Sequence, residues 1–304
     1  MTTKSIGLGL ASAGGAGPER SLDRLLTLTQ LDDSLFQGRS QPGLPMRTFG
    51  GEVLGQSVVA AGLTVPEDRT IHSMHAYFLL PGDTSIPVTF RVNRSRDGGS
   101  FTTRHVEASQ RDRVIFTMTA SFQRPTGPTH LAHQIPELAD IPHPGDLPHP
   151  LEQFKDDEVA LAWYRRMMSW QPVDLRFPTR PLRALGGTGV RAAPKQQIWV
   201  KTASPVEAVP LTQSAVVAYL SDMFLLSSAL GPHGISGMEP DLQFATIDHG
   251  VWFHAPMAPD EWFLYDMDGF WAGQDRALCR GLMFNEEGVL CATTLQEGLM
   301  RRRG

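Results

Sequence analysis

Ala215-Val-Val-Ala-Tyr-Leu-Ser-Asp222-Met-Phe-Leu-Leu-Ser-Ser-Ala-Leu230 carries one carboxylate in a run whose apolar residues occupy nearly every turn, with no basic residue within helical reach. A helix that is apolar all round is a core helix. An ionised acid buried there is costly unless it is paired, hydrogen-bonded or catalytic, or has its pKa pushed upward. The pattern therefore predicts a buried helix over Thr212–Leu230, with Asp222 as a candidate site residue on it.

Working outward, this helix is followed by β-enriched runs at Gln243–His254, Trp262–Met267, Arg276–Phe284 and Val289–Leu299, the last two flanking the turn Asn285-Glu-Glu-Gly288. The same order occurs earlier in the chain. Gly50-Gly-Glu-Val-Leu-Gly-Gln-Ser-Val-Val-Ala-Ala-Gly-Leu-Thr-Val65 reads as a helix, followed by strands at Ile71–Leu80, Pro87–Asn93, Ser100–Gln110 and Val114–Gln123. The turn residues and the alternation of Arg104–Gln110 predict antiparallel pairing with one wet face. One apolar helix and a meander long enough to curl around it make an α+β unit, and two such units in one chain make a pseudo-dimer.

Seven prolines between Pro125 and Pro150 rule out a long helix or a central strand there. The expected organisation is a disordered leader at 1–20, an N-terminal unit at 21–124, a Pro-rich linker with a helix at 125–170 and a C-terminal unit at 171–304. Segments 24–34 and 151–170 are read as additional helices, the first with Ser21 as its N-cap.

Composition narrows the function. With 304 residues, 41% hydrophobic and only 19% charged, the chain has ample material for real cores. A net charge of −5 argues against a general nucleic-acid binder, although only four of the 27 basic residues are lysine. Cys279 and Cys291 are too few for a disulfide framework and are read as reduced packing residues, for which a cytoplasmic location is the simplest setting. No membrane span is expected, since no run approaches the roughly 18 apolar residues one requires.

Arg47-Thr-Phe-Gly-Gly-Glu-Val-Leu-Gly-Gln56, His72-Ser-Met-His-Ala-Tyr-Phe78, Pro81-Gly-Asp83 and Thr119-Ala-Ser-Phe-Gln123 resemble the N-terminal half of the acyl-CoA thioesterase II family. Ser221-Asp222, Ala245-Thr-Ile-Asp-His249, Trp252-Phe-His254 and Gln296-Glu-Gly-Leu-Met-Arg301 resemble its C-terminal half. The resemblance runs from about residue 22 to Arg302. It implies a double hotdog fold, hydrolysis of fatty acyl-CoA thioesters without metal or cofactor, and a homo-oligomer, dimer or tetramer. It places the catalytic acid, hydroxyl and amide on Asp222, Thr246 and Gln296. The segment Arg183-Ala-Leu-Gly-Gly-Thr-Gly-Val-Arg191 departs from the family pattern, so no tunnel detail is carried over there.

These residue types suit the chemistry. A thioester has a good leaving group, so the main task is to aim a water at its carbonyl. Asp222 takes its proton, Thr246 orients it and the Gln296 amide donates to it or to the substrate oxygen. The first copy carries no mid-helix acid, and Ser121 is the best match there to Gln296, which predicts one reacting site per chain near the seam of the two units. Gly50 and Gly51, at a helix start, and His72 are candidate substrate-binding residues.

Rival readings are weighed on the same residues. Asp248-His249 offers an acid beside an imidazole, but adjacent strand residues face opposite ways. The same spacing argument separates His72 from His75 and weakens a metal site built with His249 and His254. Ser57, Ser221 and Ser227 lack a nucleophile-elbow setting. A hotdog enoyl-CoA hydratase and a non-catalytic acyl-CoA sensor remain as alternative functions.

Overall fold

The computed structural model describes residues 4–6, 22–40, 47–127, 131–134, 136–186 and 188–303. Among the described residues, thirteen strands form one continuous antiparallel sheet around two central helices. In the first half these are β1 (Lys4–Ile6), α1 (Leu22–Leu26), β2 (Leu28–Asp32), β3 (Leu35–Gly38), α2 (Gly50–Gly62), β4 (Thr70–Phe78), β5 (Val88–Asp97), β6 (Phe101–Gln110) and β7 (Arg113–Gln123). The second half follows with α3 (Pro150–Gln153), α4 (Glu158–Met168), β8 (Val173–Arg176), β9 (Lys195–Thr202), α5 (Pro210–Ser221), β10 (Leu242–Phe253), β11 (Phe263–Gly273), β12 (Arg276–Asn285) and β13 (Leu290–Arg302). The spatial order is β1-β2-β3-β5-β6-β7-β4-β10-β13-β12-β11-β9-β8, so the halves join where β4 pairs with β10. This is the double hotdog that the family resemblance implied, and it has the two-unit organisation expected from the repeat.

The strands alternate buried and exposed residues, most cleanly in β6, and the buried set closes over α2 and α5. The two helices pack antiparallel on each other, and glycine sets how close they come. A Cβ on Gly51 would lie 2.3 Å from the Tyr219 carbonyl oxygen. That close approach brings the start of α2 against the end of α5.

A local two-fold relation is visible at the seam. The β4–β10 pairing runs from Asp248 opposite Tyr77 to Trp252 opposite Ser73, centred on Gly250 opposite His75. Both strands bulge at the matching place, between Thr246 and Asp248 in β10 and between Ile71 and Ser73 in β4. Aligned on these marks, Ile71 stands where Thr246 does, and Ala120 where Gln296 does. Leu63 caps α2 where Asp222 caps α5. Register therefore corrects the match of Ser121 to Gln296, because the bulge moves the partner by one residue.

Several expected elements differ. The predicted helix over 24–34 is short α1 followed by a two-stranded ribbon, since Leu28, Phe36 and Gly38 are buried as strand positions. Lys4–Ile6, inside the expected disordered leader, pair with Leu28–Gln30. Ser21 lies outside the described residues. The 151–170 helix is two helices, α3 and α4, with Asp157 capping the second through Ala160 N–H. The Pro-rich stretch packs on the surface, where Leu138, Ile141 and Leu147 cover Trp199 and Phe284.

The largest departure lies in the opening run itself. The helix ends at Ser221, Phe224 adopts φ +67°, and the chain resumes as a 3-10 helix over Leu225–His233. A non-glycine residue in the left-handed region costs roughly 1 kcal/mol or more. Pro210–His233 as a whole is long and apolar enough to cross a membrane, contrary to the composition argument, but 89% of its most apolar window is buried inside the fold. It is the core of the molecule.

Candidate active site

Because α5 stops at Ser221, Asp222 caps the helix instead of lying along its side. Its carboxylate points across to the first turn of α2. The end of α5 presents the negative end of a helix dipole and the start of α2 presents a positive one, so the group is held by its neighbour's amides. Gly51 N–H donates to Asp222 Oδ2 at 2.9 Å. Gly50 must lack a side chain here, since a Cβ would lie 2.6 Å from Asp222 Oδ2.

The two strands nearest the helix end supply the remaining groups. Thr246 lies on β10 at the bulge, and Gln296 lies on β13 opposite His249. Gln296 Nε2 donates to Asp222 Oδ1 at 2.7 Å and to Thr246 Oγ1 at 2.7 Å. Thr246 Oγ1 donates to Asp222 Oδ1 at 3.3 Å. The three residues thus meet, although they are far apart in the sequence. Burial pushes the Asp222 carboxyl up to about 6, against the opposing pull of Gln296, Thr246, Gly51 and the Arg183 cation.

The trio opens on a cavity of about 490 Å³ at the seam, whose walls include Phe49, Phe78, Phe116, Phe224, Leu226 and Leu299. Gly50 lines it, while Gly51 lies behind it, bonded to the carboxylate. Among the large apolar residues of the second half, Phe224 is in the wall. Trp271 instead stacks beneath Arg276 and is well exposed.

His72 is not brought to this cavity. It bonds Ser121 Oγ at 2.8 Å and lines a second cavity of about 520 Å³ with Ile71, Pro210 and His254. That cavity occupies the mirror position under the local two-fold. There the residues matching the trio are Leu63, Ile71 and Ala120.

The rival histidine is accounted for. Ser221 Oγ spends its hydrogen on Ala218 O at 2.8 Å, so the His249 Nε2–H is the donor in the 2.8 Å contact with Ser221. Burial drops the His249 pKa to about 3, which leaves the ring neutral. Asp248 lies on the other face, 3.5 Å from His75. His72, His75, His249 and His254 each have a different partner, with His254 on Thr293.

Arg183 was missed at the sequence level. It sits in a short 3-10 helix, Leu182–Leu185, and lines the seam cavity with Asp222. Its Nε donates to Ser227 Oγ at 2.7 Å, and its guanidinium lies 5.2 Å over the Phe244 ring. An arginine among Leu182, Ala184 and Leu185 is the same signal that singled out Asp222, a charge in an apolar run.

Residues 168–299 match the family described as acyl-CoA thioesterase, and residues 41–123 match the acyl-CoA thioesterase N-terminal domain. The human protein named acyl-coenzyme A thioesterase 8 is 36% identical over 295 residues, which is 91% of this chain and 88% of the relative. Acyl-CoA thioesterase 2 of Haemophilus influenzae is 33% identical, covering 92% and 97% of the two chains. The crystal structure of an acyl-CoA thioesterase II, TesB2, from Mycobacterium marinum superposes with a TM-score of 0.75 at 37% identity, covering 93% of this chain and 99% of that one. With the fold, the cavity and these likenesses together, the chain belongs to the acyl-CoA thioesterase family, enzymes that hydrolyse thioesters.

Proposed function

We propose that this chain hydrolyses fatty acyl-CoA to a free fatty acid and CoA, with a water activated by Asp222 and with Thr246 and Gln296 holding that carboxylate in place. The observation that carries the reading is the convergence of the three side chains at the mouth of an apolar cavity. A base with a pKa near 6 is ionised at neutral pH yet basic enough to take a proton from attacking water, an assistance worth on the order of 10²–10⁴-fold. The water oxygen bonds the carbonyl carbon, the C–S bond breaks, and the proton held by Asp222 goes to the departing thiolate.

The polar contacts refine the part played by the amide. Both Gln296 N–H groups are directed at Asp222 and Thr246, so Gln296 orients the base and leaves none for the substrate. The mirror cavity lacks all three side chains, which supports one reacting site per chain. A hydratase would need an imidazole working beside the acid, whereas His249 is neutral, buried and bonded to Ser221.

Thiol release from acyl-CoAs of graded chain length, measured beside Asp222→Asn, tests the reading. The wild-type chain should release thiol and the variant should not, while still binding acyl-CoA. No release across the series, with ligand retained by both proteins, would instead favour a sensor.

A further inference from the structure

Hydrolysis of a thioester places negative charge on the carbonyl oxygen as water adds, and that oxygen needs hydrogen-bond donors aimed at it. The donors that hold Asp222 itself have no hydrogen to spare. Gln296 Nε2 spends its two hydrogens on Asp222 Oδ1 and Thr246 Oγ1, Thr246 spends its one on Asp222 Oδ1, and Gly51 N–H goes to Asp222 Oδ2. The groups that prepare the base cannot also receive the oxyanion.

Arg183 is differently placed. A guanidinium has five N–H donors. In Arg183 only Nε is used, on Ser227; among the described residues Nη1 and Nη2 make no hydrogen bond. The side chain is held by that bond and by the Phe244 ring, in the wall that also carries Asp222, Thr246 and Gln296. Ser227 follows the Phe224 break, so the same interruption that turns Asp222 into a cap also supplies the anchor for Arg183. An alkyl chain has nothing to offer these donors. The thioester has one acceptor at the reacting carbon, its carbonyl oxygen.

We propose that Arg183 is a catalytic residue of this site, whose terminal amino groups donate to the thioester carbonyl oxygen and hold the oxyanion formed when water adds. This deepens the function proposed above and rests on it. As the water oxygen bonds the carbon, the C=O electron pair moves onto the oxygen facing Arg183. On collapse the pair returns, the C–S bond breaks, and the thiolate takes the proton from Asp222. Asp222 and Glu239 are the acids whose fields favour the cation, and Arg183 stays protonated at neutral pH despite its burial.

The test uses the full chain with Arg183→Met and Arg183→Lys, and two non-hydrolysable probes. One is an S-alkyl-CoA thioether, which has no carbonyl. The other is a CoA ketone with methylene in place of sulfur, which keeps it. Loss of this donor should lower kcat for Arg183→Met by about 10²–10³-fold and raise KM by no more than it weakens the ketone, and Arg183→Lys should recover part of the rate. Arg183→Met should bind the ketone at least tenfold more weakly and the thioether unchanged. A kcat near wild type, equal weakening of both probes, or full recovery of rate at pH 9 would overturn the proposal, the last because Arg183 would then act only through the ionisation of Asp222. If Arg183→Met does not fold, Arg183→Lys with the same two probes decides. An active Arg183→Met beside an inactive Asp222→Asn defeats this inference alone, whereas an active Asp222→Asn defeats the reading beneath it.

Discussion

Asp222→Asn should stabilise the protein at alkaline pH while removing its activity. In the folded chain the carboxyl is pushed up to about 6. In the unfolded chain an aspartate titrates near 3.9. The folded state therefore holds its proton more tightly, and wild-type stability falls as pH rises from about 4 through 6 and then levels off. Two pKa units correspond to about 3 kcal/mol of cost at pH 8. The asparagine amide avoids that ionisation cost, but it can offer its oxygen to Gln296 or to Gly51 and not to both, which forfeits one hydrogen bond of about 1 kcal/mol. The variant should therefore be about 2 kcal/mol more stable than wild type at pH 8, with the advantage vanishing near pH 4.5. Urea unfolding of both proteins at several pH values measures this, with other titrating groups cancelling in the comparison. A variant less stable at pH 8, or a difference that does not change with pH, would refute the argument. In wild type, kcat/KM should fall as pH drops through about 6, because the base must be ionised to act.

Two further substitutions probe the surroundings. Gly50→Ala places a methyl 2.6 Å from Asp222 Oδ2 and 3.0 Å from the Phe78 ring, so kcat should drop by about 10–100-fold through displacement of the carboxylate, with thermal unfolding nearly unchanged. His249→Met installs the residue that stands at the equivalent position, Met74, in the first half; steady-state thiol release should remain of wild-type order, and its loss would restore the imidazole as a participant.

Much of this site was legible in sequence because chemistry and burial conflict there. Asp222 stood out as an acid with no partner in an apolar run, and the repeat showed that only the second copy carried it. The geometry of that residue was not legible. The apolar pattern continues through the break at Phe224 into a buried 3-10 helix, so periodicity gave one long helix where the chain forms two. The equivalence of Ala120 to Gln296 depended on bulges, which shift register without leaving a compositional mark. The 24–34 segment was read as a helix, yet pairing with β1 and β3 made its second part a strand. Arg183 carried a usable signal that was passed over because its segment matched no expected pattern.

The seam between β4 and β10 ties solubility to turnover. Parting the halves there would strip one side of each strand, over Ser73–Tyr77 and Asp248–Trp252, and leave two edges of unpaired amides and carbonyls, the kind that recruit other chains into aggregates. It would also carry α2 away from α5, leaving Asp222 without the Gly51 amide. The two halves differ in the groups they carry, yet each covers an edge of the other.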